Sequence, residues 1–149
     1  MAVMIMVSAI ASARLWVDPG LAKEDWRTAA AYVHSIEAPG DALVMRDLQT
    51  GIPFDYYYRG GLETQFVAVN RQATPLEDLG RGYTRMWLVY RRPFEPAHAL
   101  AGAQPFTWRD DQDPATRAWL AAHAPALARE ATFPGVYVAL YHLSPAGEE

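Results

Sequence analysis

The sequence predicts an α/β fold, a three-layer α/β/α sandwich with a mostly parallel sheet and a C-terminal β-hairpin, preceded by a truncated transmembrane helix. Three observations predict it. Residues 23–47 read as a helix, a tight turn and a short buried strand, the repeating unit of an α/β domain. Two further apolar runs, 65–69 and 84–90, have strand length and composition. Two more apolar segments flank Pro134-Gly135, the signature of a closing hairpin.

Met1–Ala13 carries no charge and ends at Arg14. It is shorter than the roughly 20 apolar residues that cross a bilayer core. The favoured reading is the last half of a transmembrane helix, with Trp16 where an interfacial aromatic belongs. A signal peptide competes, since Ala11-Ser12-Ala13 resembles a cleavage site, but no Lys or Arg precedes the apolar run. A buried core helix also competes, and would need covering on every side. The expected organisation is therefore residues 1–16 as the end of a membrane span and 17–149 as one α/β domain.

Asp18-Pro19-Gly20 is a turn. Trp26, Ala29, Ala30, Val33 and Ile36 then recur at helical spacing, and Glu24 and Asp25 are expected in the first turn, where the helix dipole favours negative charge. Pro39-Gly40-Asp41 stops the helix. Ala42–Met45 is an unbroken apolar run, which suits a strand covered on both faces. Arg46–Gly51 reads as a loop, and Pro53–Arg59 as a short helix with proline in its first turn, closed by Gly60-Gly61. Gln65–Val69 is the second strand, Leu76–Leu79 a helical turn, and Thr84–Tyr90 the third strand, ending in Arg91-Arg92-Pro93. Phe94–Asp113 reads as a long surface connection. Asp113-Pro114 starts a helix whose inner face is expected to be Ala115, Ala118, Trp119 and Ala122. Ala126–Phe133 and Val136–Leu143 form the hairpin, and the second of these is apolar on both faces, so it belongs inside the sheet or against a partner.

The 149 residues are 51% hydrophobic and 20% charged, which is globular composition. A net charge of -4 gives no electrostatic reason to expect a nucleic-acid partner. The absence of cysteine excludes disulfides and thiolate chemistry.

In open α/β sheets ligands gather outside the carboxyl ends of the strands. Three such ends carry arginine: Arg46-Asp47, Asn70-Arg71 and Arg91-Arg92. Arginines there can fork onto a phosphate or carboxylate, or simply mark where strands meet water. Asp55-Tyr56-Tyr57-Tyr58-Arg59 suits sugar stacking or a membrane interface, but ordinary packing of one or two tyrosines is the favoured reading. The candidate substrate-binding residues are thus Arg46, Asp47, Asp55, Tyr56, Tyr57, Arg59 and Arg91. His34, His98, His123 and His142 show no ligand spacing, so neither a metal nor a cofactor is expected. Gly80-Arg81-Gly82 precedes a strand, the reverse of a dinucleotide fingerprint. Nothing pairs Asp47, Asp55, Glu63, Asp110 or Asp111 as glycosidase carboxylates, and no Gly-x-Ser-x-Gly elbow occurs. No catalytic residue is assigned.

Taken together, the apolar leader, Lys23-Glu24-Asp25-Trp26-Arg27, Ala38-Pro39-Gly40-Asp41, Pro53-Phe54-Asp55-Tyr56-Tyr57-Tyr58, Arg85-Met86-Trp87-Leu88-Val89 and Phe133-Pro134-Gly135-Val136-Tyr137-Val138 form a recognisable pattern. It is similar to the soluble C-terminal domain of bacterial integral-membrane glycosyltransferases of the GT-C class, the dolichyl-phosphate-mannose-protein mannosyltransferase-like family 39. The resemblance spans roughly Leu15 to Leu143 and rests on structural motifs. It implies an extracytoplasmic domain hanging from the last transmembrane helix of an enzyme that moves a sugar from a polyprenyl-phosphate carrier to an acceptor. The family's catalytic acids lie in an early loop between membrane helices, and no such region occurs in this sequence, so none is carried over. The expected partners are the membrane, the rest of the parent glycosyltransferase, and a polyprenyl-phosphate sugar or acceptor glycan. A non-catalytic, membrane-tethered interaction module is the alternative, and a small α/β enzyme with an unrecognised site a third reading.

Overall fold

A computed structural model of the chain describes residues 24–69, 72–91 and 113–143. Met1–Ala13, Asp18-Pro19-Gly20, Asn70-Arg71, Arg92 and the 94–112 stretch, with the readings placed on them, lie outside the described residues. Among the described residues no helix is long and apolar enough to cross a membrane.

The organising helix is α1 (Trp26–Ile36), with Trp26, Ala29, Ala30 and Val33 buried as their spacing requires. Its acids sit one step earlier than expected. Asp25 is the N-cap, its Oδ1 accepting from the Thr28 amide at 3.0 Å, and Glu24 lies outside the helix. A cap carboxylate satisfies an amide that a first-turn acid leaves open. The chain turns at Pro39-Gly40 and enters β1 (Ala42–Met45), buried at all four positions.

The next helix corrects the expected loop. α2 spans Leu48–Tyr57, so it begins before Pro53 and takes in residues expected to be irregular. Asp47 nucleates it, accepting from the Thr50 amide at 2.9 Å and the Thr50 hydroxyl at 3.0 Å. Gly51, which read as a loop residue, is small because of what faces it: a Cβ there would stand 2.5 Å from Phe66 Cε1. Pro53 therefore sits inside the helix, where it offers no N–H to the preceding turn.

β2 (Thr64–Phe66) is shorter than the expected strand. The amides of Val67 and Ala68 still donate to Met45 and Arg46 carbonyls at 2.8 Å. Ala68 and Val69 then pair elsewhere, as β3 (Ala68–Val69) against β4 (Gln72–Ala73). α3 (Leu76–Gly80), β5 (Arg85–Arg91) and α4 (Pro114–Ala122) follow, then a 3-10 turn (Ala124–Ala126), β6 (Leu127–Phe133) and β7 (Val136–His142). The expected helix start at Asp113-Pro114 and the terminal hairpin are both present. The inner face of α4 differs: Thr116, Trp119 and Leu120 are buried, whereas Ala115, Ala118 and Ala122 are exposed. The bulk of Leu120 and the Thr116 hydroxyl, donated to Asp113 at 2.7 Å, set the rotation of the helix; the alanines offer little area to bury.

The main sheet runs β2-β1-β5-β7-β6. β2 and β5 pair parallel with β1, while β7 pairs antiparallel with β5 and β6 antiparallel with β7. The sheet is mixed, parallel on one side and antiparallel on the other, because the hairpin supplies two of its strands. Side-chain alternation sorts the core into two clusters. Leu43, Met45, Trp87, Val89, Val136, Val138 and Leu140 meet Trp26, Ala29, Ala30 and Val33 of α1 and Phe54 of α2. Ala42, Val44, Met86, Leu88, Tyr90, Tyr137, Ala139 and Tyr141 meet Leu76 of α3 and Trp119 and Leu120 of α4. β7, buried from Val136 to Tyr141, lies inside the sheet as its two apolar faces require.

Candidate functional site

The residues singled out by sequence separate along α2. Arg46, Asp47 and Arg91 stand at the carboxyl ends of β1 and β5, where α2 begins. Asp55, Tyr56, Tyr57 and Arg59 stand at its far end, about 15 Å away at 1.5 Å per residue. They do not form one site.

Most of them are engaged within the fold. Asp47 caps α2. Arg91 donates through Nε to Glu24 Oε1 at 2.8 Å, fixing the approach to α1. That approach is also held by the Asp25 amide, which donates to the Pro134 carbonyl at 2.8 Å. Gly135, at φ +66°, leaves room for it: a Cβ there would meet the Glu24 backbone at 3.1 Å. Asp55 accepts from the Thr64 hydroxyl at 3.0 Å. Arg59 donates through Nη1 to the Tyr56 and Tyr58 carbonyls at 3.0 Å, closing α2. Tyr57 lies beneath the Arg27 guanidinium, 5.4 Å from its ring centre, and meets Tyr56 edge-on at 4.9 Å. Burial holds the Tyr90 phenol well above its ordinary pKa, Tyr141 and Asp113 adding to the rise and Arg46 opposing it. Arg46 and Asp113 therefore both act on the carboxyl end of β5.

What remains open to solvent is a stripe. Leu48, Ile52 and Tyr56 are 46%, 70% and 71% exposed and recur every fourth residue along the outer side of α2.

A buried carboxylate lies at the opposite end of the sheet, where sequence reasoning saw only a turn. Asp41 is 7% exposed. Its Oδ2 accepts from Trp87 Nε1 at 2.9 Å, Arg85 Nη2 at 3.0 Å and the Ala38 amide at 3.0 Å. The same Arg85 nitrogen donates to the Ile36 carbonyl at 3.1 Å. Glu37 accepts from the Tyr58 hydroxyl and from the Gly61 amide at 3.2 Å, with His34 Nδ1 at 3.2 Å. Burial, reinforced by the bond to Glu37, raises the Tyr58 pKa above its ordinary value. The available signal was the spacing of Arg85 and Trp87, which puts both on the α1 side of β5.

A cleft between α3 and α4 was also missed. It has two lobes of about 450 and 470 Å3 that share Leu76, Glu77, Trp119, Ala122 and His123. His123 stacks on Trp119 at 3.9 Å, and its Nδ1 lies 2.9 Å from the Trp119 carbonyl, which can only accept. Tyr83 and His142 border the first lobe, Asp113 and Thr116 the second. The four-residue spacing of Trp119 and His123 on one helix was the sequence signal. Such a cleft can hold a small ligand against a ring face, but among the described residues no group of three His, Cys, Asp or Glu side chains forms a metal site.

The chain matches no family model, no curated protein and no solved structure.

Proposed function

We propose that the chain is an accessory domain of an integral-membrane glycosyltransferase of the GT-C class, tethered on the extracytoplasmic side of the cell membrane by its apolar leader. The parent enzyme transfers a sugar from a polyprenyl-phosphate carrier, and this domain positions the acceptor or carrier without performing the transfer. In this reading the helices on the two sides of the sheet complete a three-layer α/β/α sandwich. The observation that carries the reading is the engagement of the motif residues behind the resemblance. Asp25, Trp26, Asp41, Trp87 and Gly135 build the α1–β1–β5–hairpin frame, as expected of a supporting domain. A membrane-tethered interaction module is the second reading, and the exposed stripe on α2 favours it.

The test begins with the reading frame upstream of Met1, which should encode further apolar helices in phase. The full chain should also stay with carbonate-washed membranes. Because it has no cysteine, an Ala128→Cys variant on exposed β6 reports sidedness cleanly. Reaction with a membrane-impermeant thiol reagent in intact spheroplasts is the expected result. Labelling only after lysis would defeat the extracytoplasmic placement, and an upstream frame without apolar helices would favour the interaction module.

A further inference from the structure

We infer that the outer side of α2 rests on the lipid bilayer that holds the leader, with Leu48, Ile52 and Tyr56 entering the boundary between headgroups and acyl chains. This rests on the membrane tether proposed above and names the face the domain turns toward it.

The stripe has the composition of an interfacial contact. Two aliphatic side chains and a tyrosine lie in one line on one helix, and they are the exposed large hydrophobic side chains of the described residues. Tyrosine brings an apolar body and a polar tip, the combination enriched at membrane surfaces. Near its Tyr56 end, Arg27 lies over the neighbouring Tyr57 and Arg59 bonds the Tyr56 and Tyr58 carbonyls, both with long stems and cationic heads suited to anionic phosphate. Two acids share the helix or its cap, Asp47 turned to Thr50 and Asp55 to Thr64.

Chain geometry allows the contact. The described structure begins at Glu24, held beside Arg91 and Pro134 at the carboxyl end of β5, and α2 starts at that same end after β1. Residues 14–23 join this point to the uncharged 1–13 stretch. Ten residues reach at most about 35 Å when extended, against about 15 Å for the whole of α2. A domain tethered there can lay the full stripe on the surface.

Size argues for lipid over a free protein partner. Three partly exposed side chains offer on the order of 400 Å2, about half of what one side of a stable complex contributes. A patch that small works as the second contact of a molecule already anchored, where the tether supplies a high effective concentration.

The test uses full-length chain with vesicles of phosphatidylethanolamine and phosphatidylglycerol. Ile52→Cys, Tyr56→Cys and, on the opposite side of the sheet, Glu77→Cys are each labelled with a polarity-sensitive fluorophore in this cysteine-free chain. The expected result is flotation of all three, with blue-shifted emission and quenching by brominated lipid at 52 and 56 but not at 77. In a Leu48→Ser/Tyr56→Ser background the label at 52 should lose its quenching while flotation persists. Flotation without quenching at 52 and 56 overturns this inference and leaves the tether standing. Failure to float overturns the tether and this inference with it. Shielding of the label at 52 without vesicles, growing with protein concentration, assigns the stripe to a second copy and also overturns the inference.

Discussion

The two ends of the sheet use their acidic residues differently. At the carboxyl end, Asp25, Asp47 and Asp113 each accept from an amide three residues on and start a helix. At the amino end, Asp41 gathers Trp87 and Arg85 from more than forty residues away, and Glu37 takes the Tyr58 hydroxyl. The first set fixes where helices begin. The second fixes where helices sit on the sheet. A polar residue near a strand's carboxyl end is therefore weak evidence for a ligand site until its local partners are known.

The largest test of that contrast is Asp41→Ala. It strands a buried indole N–H and removes the carboxylate paired with Arg85, which keeps only its bond to the Ile36 carbonyl, and should destabilise the fold by about 3 kcal/mol in chemical denaturation. Removing a carboxyl-end cap should cost less: Asp113→Ala is expected to lose about 1 kcal/mol. Its effect should also depend on pH. Hydrogen bonds from Thr116 hold the Asp113 carboxyl below its usual range, so its contribution is complete above the unfolded value, near 4, and fades as pH falls through the lower folded value. The stability gap between wild type and Asp113→Ala should close on acidification. Arg91→Ala breaks an ion pair whose side chains are 52% and 31% exposed and should cost only about 0.5 kcal/mol. Smallest of all, Ile52→Ser should leave the denaturation midpoint within about 0.5 kcal/mol of wild type, since that side chain is 70% exposed. A loss as large as that of Asp41→Ala at either Arg91 or Asp113 would erase the distinction between the two ends.

The frame was legible where one signal dominated. The stripe of α1, the doubly apolar β1 and Pro134-Gly135 each had one physical reading, and the structure follows it; β7 had two, and it lies inside the sheet. Only the start of α2 was hidden: Pro53 read as the beginning of the helix and Gly51 as loop, and the reason for the glycine is Phe66, fifteen residues on. The α4 face was misjudged because three alanines gave a regular pattern with too little area to decide which side turns inward. The Asp41 cluster was illegible for a different reason. Local spacing puts Arg85 and Trp87 on one side of β5, but Asp41 joins them only once β1 and β5 are paired. The same holds for the α3–α4 cleft, made by helices some thirty residues apart in sequence.

β6 stands at one border of the sheet, with β7 on its only paired side among the described strands. Its register slips between Leu127 and Arg129, and Arg129 and Glu130 face solvent. An interrupted, charged border is a poor template for another chain's strand. Crowded side by side on a surface, such molecules would be expected to slide past one another without fusing into continuous ribbons.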